Sequence, residues 1–489
     1  MLIVLVLLMV VPLLGAIVVA GLRGRAVHAV ATGAAAVTAG LAVWAVAQLF
    51  PGTFTRVFGK MPWLERLEEV GLFGVLIDPL TSLMLIVITG VGLLVVLYSV
   101  TYMSDRNREH ALGEGLGRYN FWLLLFIAAM VGVAVSPNLL QLFIFWELTT
   151  MCSWALISHT QEEKSLQAGF KAFIITHFGG LFFLVALFIL FIFTKSFGFT
   201  ALAELGPGLR NLVFVFLLIA AWAKAAQIPF HTWLPDAMEA PTPISAYLHA
   251  AAMVKAGVYL IARVVSSSWS LPPEMGVLAA VMALATMFMA LTLYFAQDDL
   301  KRLLAYSTIA HLSYVLLGVS MGLLGSGLAF RGGVLHIINH GFAKSTLFLS
   351  VGAIAYATGT RSIRELSGVG RKLPLVGVAF IVGVLAVTGV PPLACFWSKF
   401  YLLAGSLQVS GGFGPVILGL VLLESLISFA WMLYVAQKVF LGEPSAPVLA
   451  VQHNPLPAPM TIALLALIVM CVLAPVVGIP LVEHIPYPR

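Results

Sequence analysis

Apolar windows of about 20 residues, the length a helix needs to cross the hydrocarbon core of a bilayer, recur along the whole chain. About fourteen can be placed. Because a bilayer core has no water to bond exposed backbone, the expected fold class is all-α, a polytopic bundle of about 14 transmembrane helices. A soluble globule is excluded: 61% of residues are hydrophobic and 9% charged, against about half and about a quarter in soluble domains. The run MLIVLVLLMVVPLLGAIVVAG lacks a positive stretch before its apolar core, so it reads as a first span rather than a cleaved signal peptide. Loops are short, with no Ser/Gly linker, and no soluble domain is read before or after the bundle. Residues 1–489 are expected to form a single transmembrane domain.

Loop charge orients the bundle. Arg23, Arg25, Arg106, Arg108, Arg118, Lys164, Lys301, Arg302, Arg361, Arg364, Arg371 and Lys372 all fall in odd-numbered loops. The even-numbered loops hold chiefly Arg56, Lys60, Arg66, Lys195 and Arg210, and the second also carries Glu65, Glu68 and Glu69. The positive-inside rule then places the odd loops in the cytoplasm and both termini on the outer side of an inner (cytoplasmic) membrane. The net charge of +6 needs no nucleic-acid partner, since it lies mostly on one side; lipid is the expected surroundings.

Two spans are interrupted. The seventh carries Lys224 and then Pro229 in AKAAQIPFH, and the twelfth carries Gly389, Pro391 and Pro392 before Lys399 in VTGVPPLACFWSKF. Proline removes an intrahelical bond, and freed backbone at membrane depth survives only where protein or water satisfies it. Two broken helices five apart, each with a lysine near the break, are the pattern of inverted five-helix repeats in transporters. The expected halves are spans 4 to 8, about 119–264, and spans 9 to 13, about 276–441.

The spans also carry titratable groups: Glu147 in the fifth, Lys224 in the seventh, His249 and Lys255 in the eighth, His311 in the tenth, His336, His340 and Lys344 in the eleventh, Lys399 in the twelfth and Glu424 in the thirteenth. An ionisable residue in a span costs several kcal/mol and marks function by default. His336, His340 and Lys344 succeed one another at four-residue intervals and line one helical face, a stripe of exchangeable protons. His249 and Lys255, six apart, need not share a face. A lysine in a low-dielectric site loses preference for its charged form and a nearby glutamate restores it, so Glu147 and Lys224 are expected to be a switchable pair, against the plainer reading of a static packing pair.

Other chemistries find no footing. His336 and His340 have zincin spacing, but the run is HIINH, without the glutamate or a third ligand. Cys152, Cys395 and Cys471 are scattered and read as packing residues. No nucleotide loop or nucleophile motif is present, so no catalytic residue, cofactor or metal is assigned to this chain. Residues 229–245, PFHTWLPDAMEAPTPIS, read as a rigid polar connector on the cytoplasmic side, an inlet funnel or coupling loop, and Asp78 reads as a helix-end cap.

The runs FWELTTMCSWALIS, AKAAQIPFHTWLPDAMEAPTPISAYLHAAAMVKAGVYLIAR, QDDLKRLLAYSTIAHLSY, HIINHGFAKSTLFL and VTGVPPLACFWSKF together resemble the antiporter-like membrane subunits shared by respiratory complex I, Mrp-type sodium/proton antiporters and energy-converting hydrogenases. Within that family CSWALIS, NREH, LPDAMEAPTPISAYLHAA, NHGFAKS, TGVPPLACFWSKF and ESLISFAW, with a chain that stops after fourteen spans, most resemble the hydrogenase-4 component D type of formate hydrogenlyase-like complexes.

The resemblance implies a proton path through Glu147, Lys224, Lys255 and Lys399, with His249, His311, His336, His340 and Lys344 along a hydrated axis. Glu424 has no counterpart in the general family pattern and is expected to pair with Lys399. The implied function is a proton-translocating subunit of a group 4 membrane-bound hydrogenase or formate hydrogenlyase. Its partners would be other antiporter-like and membrane-anchor subunits, with peripheral hydrogenase or dehydrogenase subunits carrying the nickel-iron and iron–sulfur centres. The alternatives are a subunit of a complex I-type NADH/quinone oxidoreductase, a Mrp-type sodium/proton antiporter subunit, and a scaffold whose buried charges only organise packing.

Overall fold

The computed structural model describes residues 2–58, 73–110, 115–267, 271–409, 412–451 and 456–487. Lys60, Glu65, Arg66, Glu68 and Glu69, counted above in the second loop, lie outside them. Before the first interruption run α1 (Leu2–Ala20), α2 (Arg25–Leu49), α3 (Pro79–Tyr102), α4 (Leu116–Val135), α5 (Leu139–Ile157), α6 (Glu163–Thr194) and α7 (Pro207–Lys224). There follow α8 (Thr242–Ser267), α9 (Pro273–Tyr294), α10 (Leu300–Leu323), α11 (Gly327–Thr358), α12 (Pro374–Thr388), α13 (Ala394–Ser406), α14 (Phe413–Phe440) and α15 (Ala458–Glu483). Among the described residues 12 helices are long and apolar enough to span a membrane. Adding α11 and the split span α12–α13 accounts for the expected number, so the chain is an all-α multi-pass membrane protein.

One small exception to the helical pattern lies between α2 and α3, where β1 (Phe54–Phe58) pairs antiparallel with β2 (Phe73–Ile77), Phe54 opposite Ile77. Gln141 of α5 anchors this ribbon: the Gly74 amide donates to Gln141 Oε1 at 2.7 Å, and Gln141 Nε2 donates to the Gly74 carbonyl at 3.1 Å.

Among the described residues the interruptions number three, not the two expected. α7 stops at Lys224, and Pro229 opens a set of short turns through Glu239. Gly389, with φ +93°, ends α12 before Pro391 and Pro392. There a side chain would be strained in the backbone and its Cβ would press on Lys399 Cδ at 3.0 Å. The unforeseen break is inside α8, where Tyr247–Ala251 forms a π-turn and Ala252 leaves helical geometry. Such single π-turns recur at functional sites.

α11 is the central helix, buried along nearly its whole length against α3, α8, α10, α12, α13 and α15. Glycine lets its backbone approach α10: a Cβ on Gly318 would lie 2.6 Å from Gly333 Cα. Helices without a hydrophobic driving force between them associate through such small-residue contacts.

Residues of the odd-numbered loops meet at one end. Arg361 pairs with Glu109 at 3.0 Å and Asp299 at 3.3 Å, Arg108 donates to the Ala357 carbonyl at 3.0 Å, and Asp236 of the connector holds Lys171 at 2.7 Å and Arg302 at 3.2 Å. Lys301, counted above as a loop charge, is only 1% exposed because it turns inward and donates to the Ala240 carbonyl at 2.6 Å. At the opposite end Asp78 caps α3 by accepting from the Thr81 amide at 2.8 Å, as expected. It also takes a bidentate pair from Arg263, whose Nη2 reaches Asp78 Oδ1 at 2.9 Å. Burial pushes the Asp78 carboxyl up, but the Arg263 charge and the bonds to Arg263 and Thr81 outweigh it and hold the carboxyl below its usual value.

Arg263→Ala removes one partner of this shielded pair and is expected to destabilise the protein by about 3–5 kcal/mol, while Asp78→Asn combined with Arg263→Gln recovers part of that loss. Thermal unfolding in detergent measures both. A second prediction concerns His159, just beyond α5, which burial and then the Arg118 charge hold down to about 4. The unfolded imidazole binds its proton near 6.5, so stability is fully present above that pH and lost as pH falls from about 6.5 to 4, by at most on the order of 3 kcal/mol. His159→Gln should flatten the dependence of unfolding temperature on pH across this window.

Candidate functional site: a buried polar row between the interrupted spans

Lys224, the last residue of α7, is fully buried. Its Nζ donates to Thr150 Oγ1 at 2.6 Å and the Trp146 carbonyl at 3.0 Å, with the Trp146 ring 5.0 Å away. The expected contact pair with Glu147 is not formed. Lys224 docks on the face of α5 made by residues 146 and 150, and residue 147 lies about 100° round the helix. Glu147 instead takes His177 of α6, Nδ1 to Oε2 at 2.7 Å, on an outer flank where the His177 side chain is 44% exposed. Sequence reasoning missed His177, although an imidazole inside the apolar run FIITHFGGLFF was a visible signal. Close packing shapes this pairing too: Gly180 lies against Glu147 Oε1, where a Cβ would not fit.

From the first break the polar groups continue inward. Gln227 donates to the Ala225 carbonyl at 3.0 Å and accepts from Ser313 of α10 at 2.8 Å. Beyond the π-turn, Lys255 Nζ meets His340 Nδ1 at 2.8 Å. The His340 and His311 rings lie 5.2 Å apart, His311 Nδ1 bonds His336 Nε2 at 3.0 Å, and His336 Nδ1 bonds Ser398 Oγ at 2.8 Å. α11 thus presents His336 and His340 on one face, as their spacing predicted, and both are engaged by other side chains. Lys344, on the same stripe, donates to the Leu304 carbonyl at 3.3 Å. His249 sits in the π-turn, stacked on Phe348 at 5.4 Å, and both its ring nitrogens are unpartnered.

Assigning Ser398 as a donor to the Cys395 carbonyl selects one of the tautomer sets these bonds allow. Ser398 donates to the Cys395 carbonyl at 3.1 Å, so it accepts from His336 Nδ1–H. A neutral His336 must then accept at Nε2 from His311 Nδ1–H. The row therefore has a direction, and reversing it by passing a proton end to end returns every imidazole to neutrality.

At the far break Lys399 Nζ donates to the Thr388 carbonyl and to Ser425 Oγ, each at 3.1 Å, above the Tyr314 ring at 4.7 Å. The expected direct pair of Glu424 with Lys399 is not formed. Tyr314 stands between them, bonding the Glu424 carboxylate and meeting Ser425 Oγ at 2.6 Å. Tyr314 and Ser398 were not anticipated, since hydroxyls carry no charge signature in a sequence. Cys152, Cys395 and Cys471 are buried free thiols. Among the described residues no cluster of three or more His, Cys, Asp or Glu has metal-holding geometry.

Set beside known proteins, residues 136–428 match the family described as NADH:quinone oxidoreductase/Mrp antiporter, TM, and residues 70–111 match NADH-Ubiquinone oxidoreductase (complex I), chain 5 N-terminus. The chain is 38% identical to chloroplastic NAD(P)H-quinone oxidoreductase subunit 5 of Anthoceros angustus, over 78% of this chain and 52% of that protein. It is also 38% identical to the Lemna minor protein of the same name, over 70% and 47%. It spans about half the length of the curated relatives it matches. A chain in the structure of the Mrp complex from Dietzia sp. DQ12-45-1b superposes with a TM-score of 0.86 at 29% identity, covering 98% of this chain and 51% of that one. A chain of the archaeal membrane-bound sulfane sulfur reductase shares the fold, with a TM-score of 0.85 at 23% identity over 99% and 96%. The chain belongs to the NADH:quinone oxidoreductase/Mrp antiporter family of membrane subunits.

Proposed function

We propose that this chain translocates protons across the membrane as one subunit of a complex I-type assembly. The observation that carries the reading is the row Lys255–His340–His311–His336–Ser398, buried at membrane depth between two broken spans. Lys224 and Glu147 supply protons to one end, Lys399 receives them at the other, and Lys344 and His249 flank the row. Its members exchange protons with one another, and water at the unpartnered His249, Asn339 and His340 Nε2 completes the contacts between them. The nickel-iron and formate hydrogenlyase reading lacks a supporting observation of this kind and gives way to its complex I alternative.

Spans 4 to 8 and 9 to 13 act in this reading as two related halves, each supplying a broken helix with a lysine near the break, the first half adding the π-turn of α8. The basic end faces the cytoplasm, and both termini lie on the outer side of a cytoplasmic membrane. Redox centres belong to partner chains, whose charge shifts reach this subunit through its flank. Glu147 and His177 bear on that contact: a hydrogen-bonded carboxyl–imidazole pair on an outer face at membrane depth is costly against lipid, so a neighbouring membrane subunit covers it. The recess beside the connector, lined by Lys164, Lys171, Asp236 and Glu239, serves as the inlet.

Likeness to a Mrp complex supports a second reading, sodium/proton exchange. Inside-out vesicles carrying the assembled complex separate the two. Proton movement that persists at full rate without sodium supports the first, and movement that stops without sodium supports the second. In either case Lys224→Ala and Lys255→Ala should each lower proton movement at least ten-fold in complexes that still assemble. Full proton movement in Lys224→Ala would leave a packing role for the buried charges and sink the proposal.

A further inference from the structure

The row just described does not use a second set of buried polar groups, in the seam where α9 packs on α10 and α14. Glu424 of α14 is fully buried. One of its carboxylate oxygens takes the Tyr314 hydroxyl, and the other, Oε1, has no partner. The Tyr294 hydroxyl faces Glu424, Ser307 and Ser428 without a bond of normal length, and Ser307 Oγ is likewise unpartnered. Tyr294 and Ser307 are 0% exposed and Ser428 is 2% exposed. On the outer side the seam is closed by Phe295 and Trp431, whose rings lie 4.8 Å apart.

Three buried polar atoms without partners in one seam at membrane depth mark a place that holds water, since lipid cannot satisfy them. The seam also has a direction. Tyr294 is the last residue of α9, and Ser307 lies two turns into α10 from Leu300, so both sit toward the basic end, whereas Glu424 is deeper. Beyond Glu424 the contacts run to Lys399 through Tyr314 and Ser425.

We propose that this seam is a second proton path, in which water held by Tyr294, Ser307 and Ser428 delivers protons from the basic face to Glu424, and Glu424 delivers them to Lys399. The step balances. A hydronium protonates the Glu424 carboxylate; the carboxyl passes that proton to the Tyr314 hydroxyl, which releases its own to Ser425, and Ser425 releases its own to a neutral Lys399 amine. Both hydroxyls end unchanged, and one proton has moved. Lys399 is thereby loaded without traffic through the histidine row. The titratable groups facing Glu424 are Lys399, Tyr314 and Tyr294. This inference rests on the proton-translocating reading for its role, but the hydration of the seam stands apart from it.

The test uses the assembled complex in inside-out vesicles, with Cys152, Cys395 and Cys471 replaced by alanine and a single thiol placed by Ser307→Cys or, separately, Ser428→Cys. Silver ion, small enough to follow a file of water, is added from the basic face or from the opposite face. Remaining free thiol is then titrated after denaturation. Silver is expected to consume either thiol at least ten-fold faster from the basic face. Equal rates from both faces, or no reaction at both positions, would overturn the path. In parallel, Glu424→Gln should slow proton movement at least five-fold and Tyr294→Phe at least two-fold, with Glu424→Asp restoring part of the rate. Full-rate movement in Glu424→Gln would overturn the transfer to Lys399. Thiol access is read without any proton movement, so failure of Lys224→Ala to block transport would sink the general reading and leave the hydrated seam in place.

Discussion

A bilayer interior supplies no water, so every amide, carbonyl and charge placed there must be answered by the protein or by water the protein encloses. The three interruptions are where this constraint bears hardest. Buried lysines answer backbone carbonyls at two of them, and elsewhere in the bundle as well. Lys399 takes the Thr388 carbonyl at the end of α12, Lys224 takes the Trp146 carbonyl of a neighbouring helix, Lys344 takes that of Leu304 and Lys301 that of Ala240. Among these buried lysines only Lys255 is held instead by an imidazole.

That arrangement separates this bundle from one stabilised by buried ion pairs. A lysine locked against a carboxylate cannot lose its proton without leaving an uncompensated charge, and breaking such a pair costs several kcal/mol. Lysines held by carbonyl dipoles and hydroxyls leave no such charge behind, which is what the proposed proton transfer requires. The acids do not touch the lysines: Glu147 is turned to His177 on the flank, and Glu424 reaches Lys399 only through Tyr314 and Ser425. The contrast with Asp78 and Arg263 is instructive. That pair is bidentate and reinforced by Thr81 and Tyr259, the geometry of a clamp at the end of two helices.

Much of this was legible beforehand. Apolar length set the number of spans, proline set two of the three breaks, and the four-residue spacing of His336, His340 and Lys344 put them on one face. The family followed from long runs such as LPDAMEAPTPISAYLHAA, whereas its branch did not: motifs shared across a family of bundles say little about which redox or transport partner docks on them. The π-turn in α8 was invisible, because YLHAAAMV contains neither proline nor glycine to mark it.

What the amino-acid order determined by itself was local: which segments span, where backbone must break, and which faces of single helices carry titratable groups. Those properties depend on period and composition within a window of about twenty residues. Partner choice was decided only by tertiary structure. Glu147 and Lys224 looked like a pair because a buried lysine needs an opposite charge, but one residue of rotation on α5 turns Glu147 to His177 of α6 and leaves Trp146 and Thr150 to receive Lys224 of α7. In the same way Glu424 and Lys399 are joined only because Tyr314, from a third helix, is packed between them. Hydrogen bonds act over about 3 Å, and no pattern along a chain specifies the relative rotation of helices to that precision.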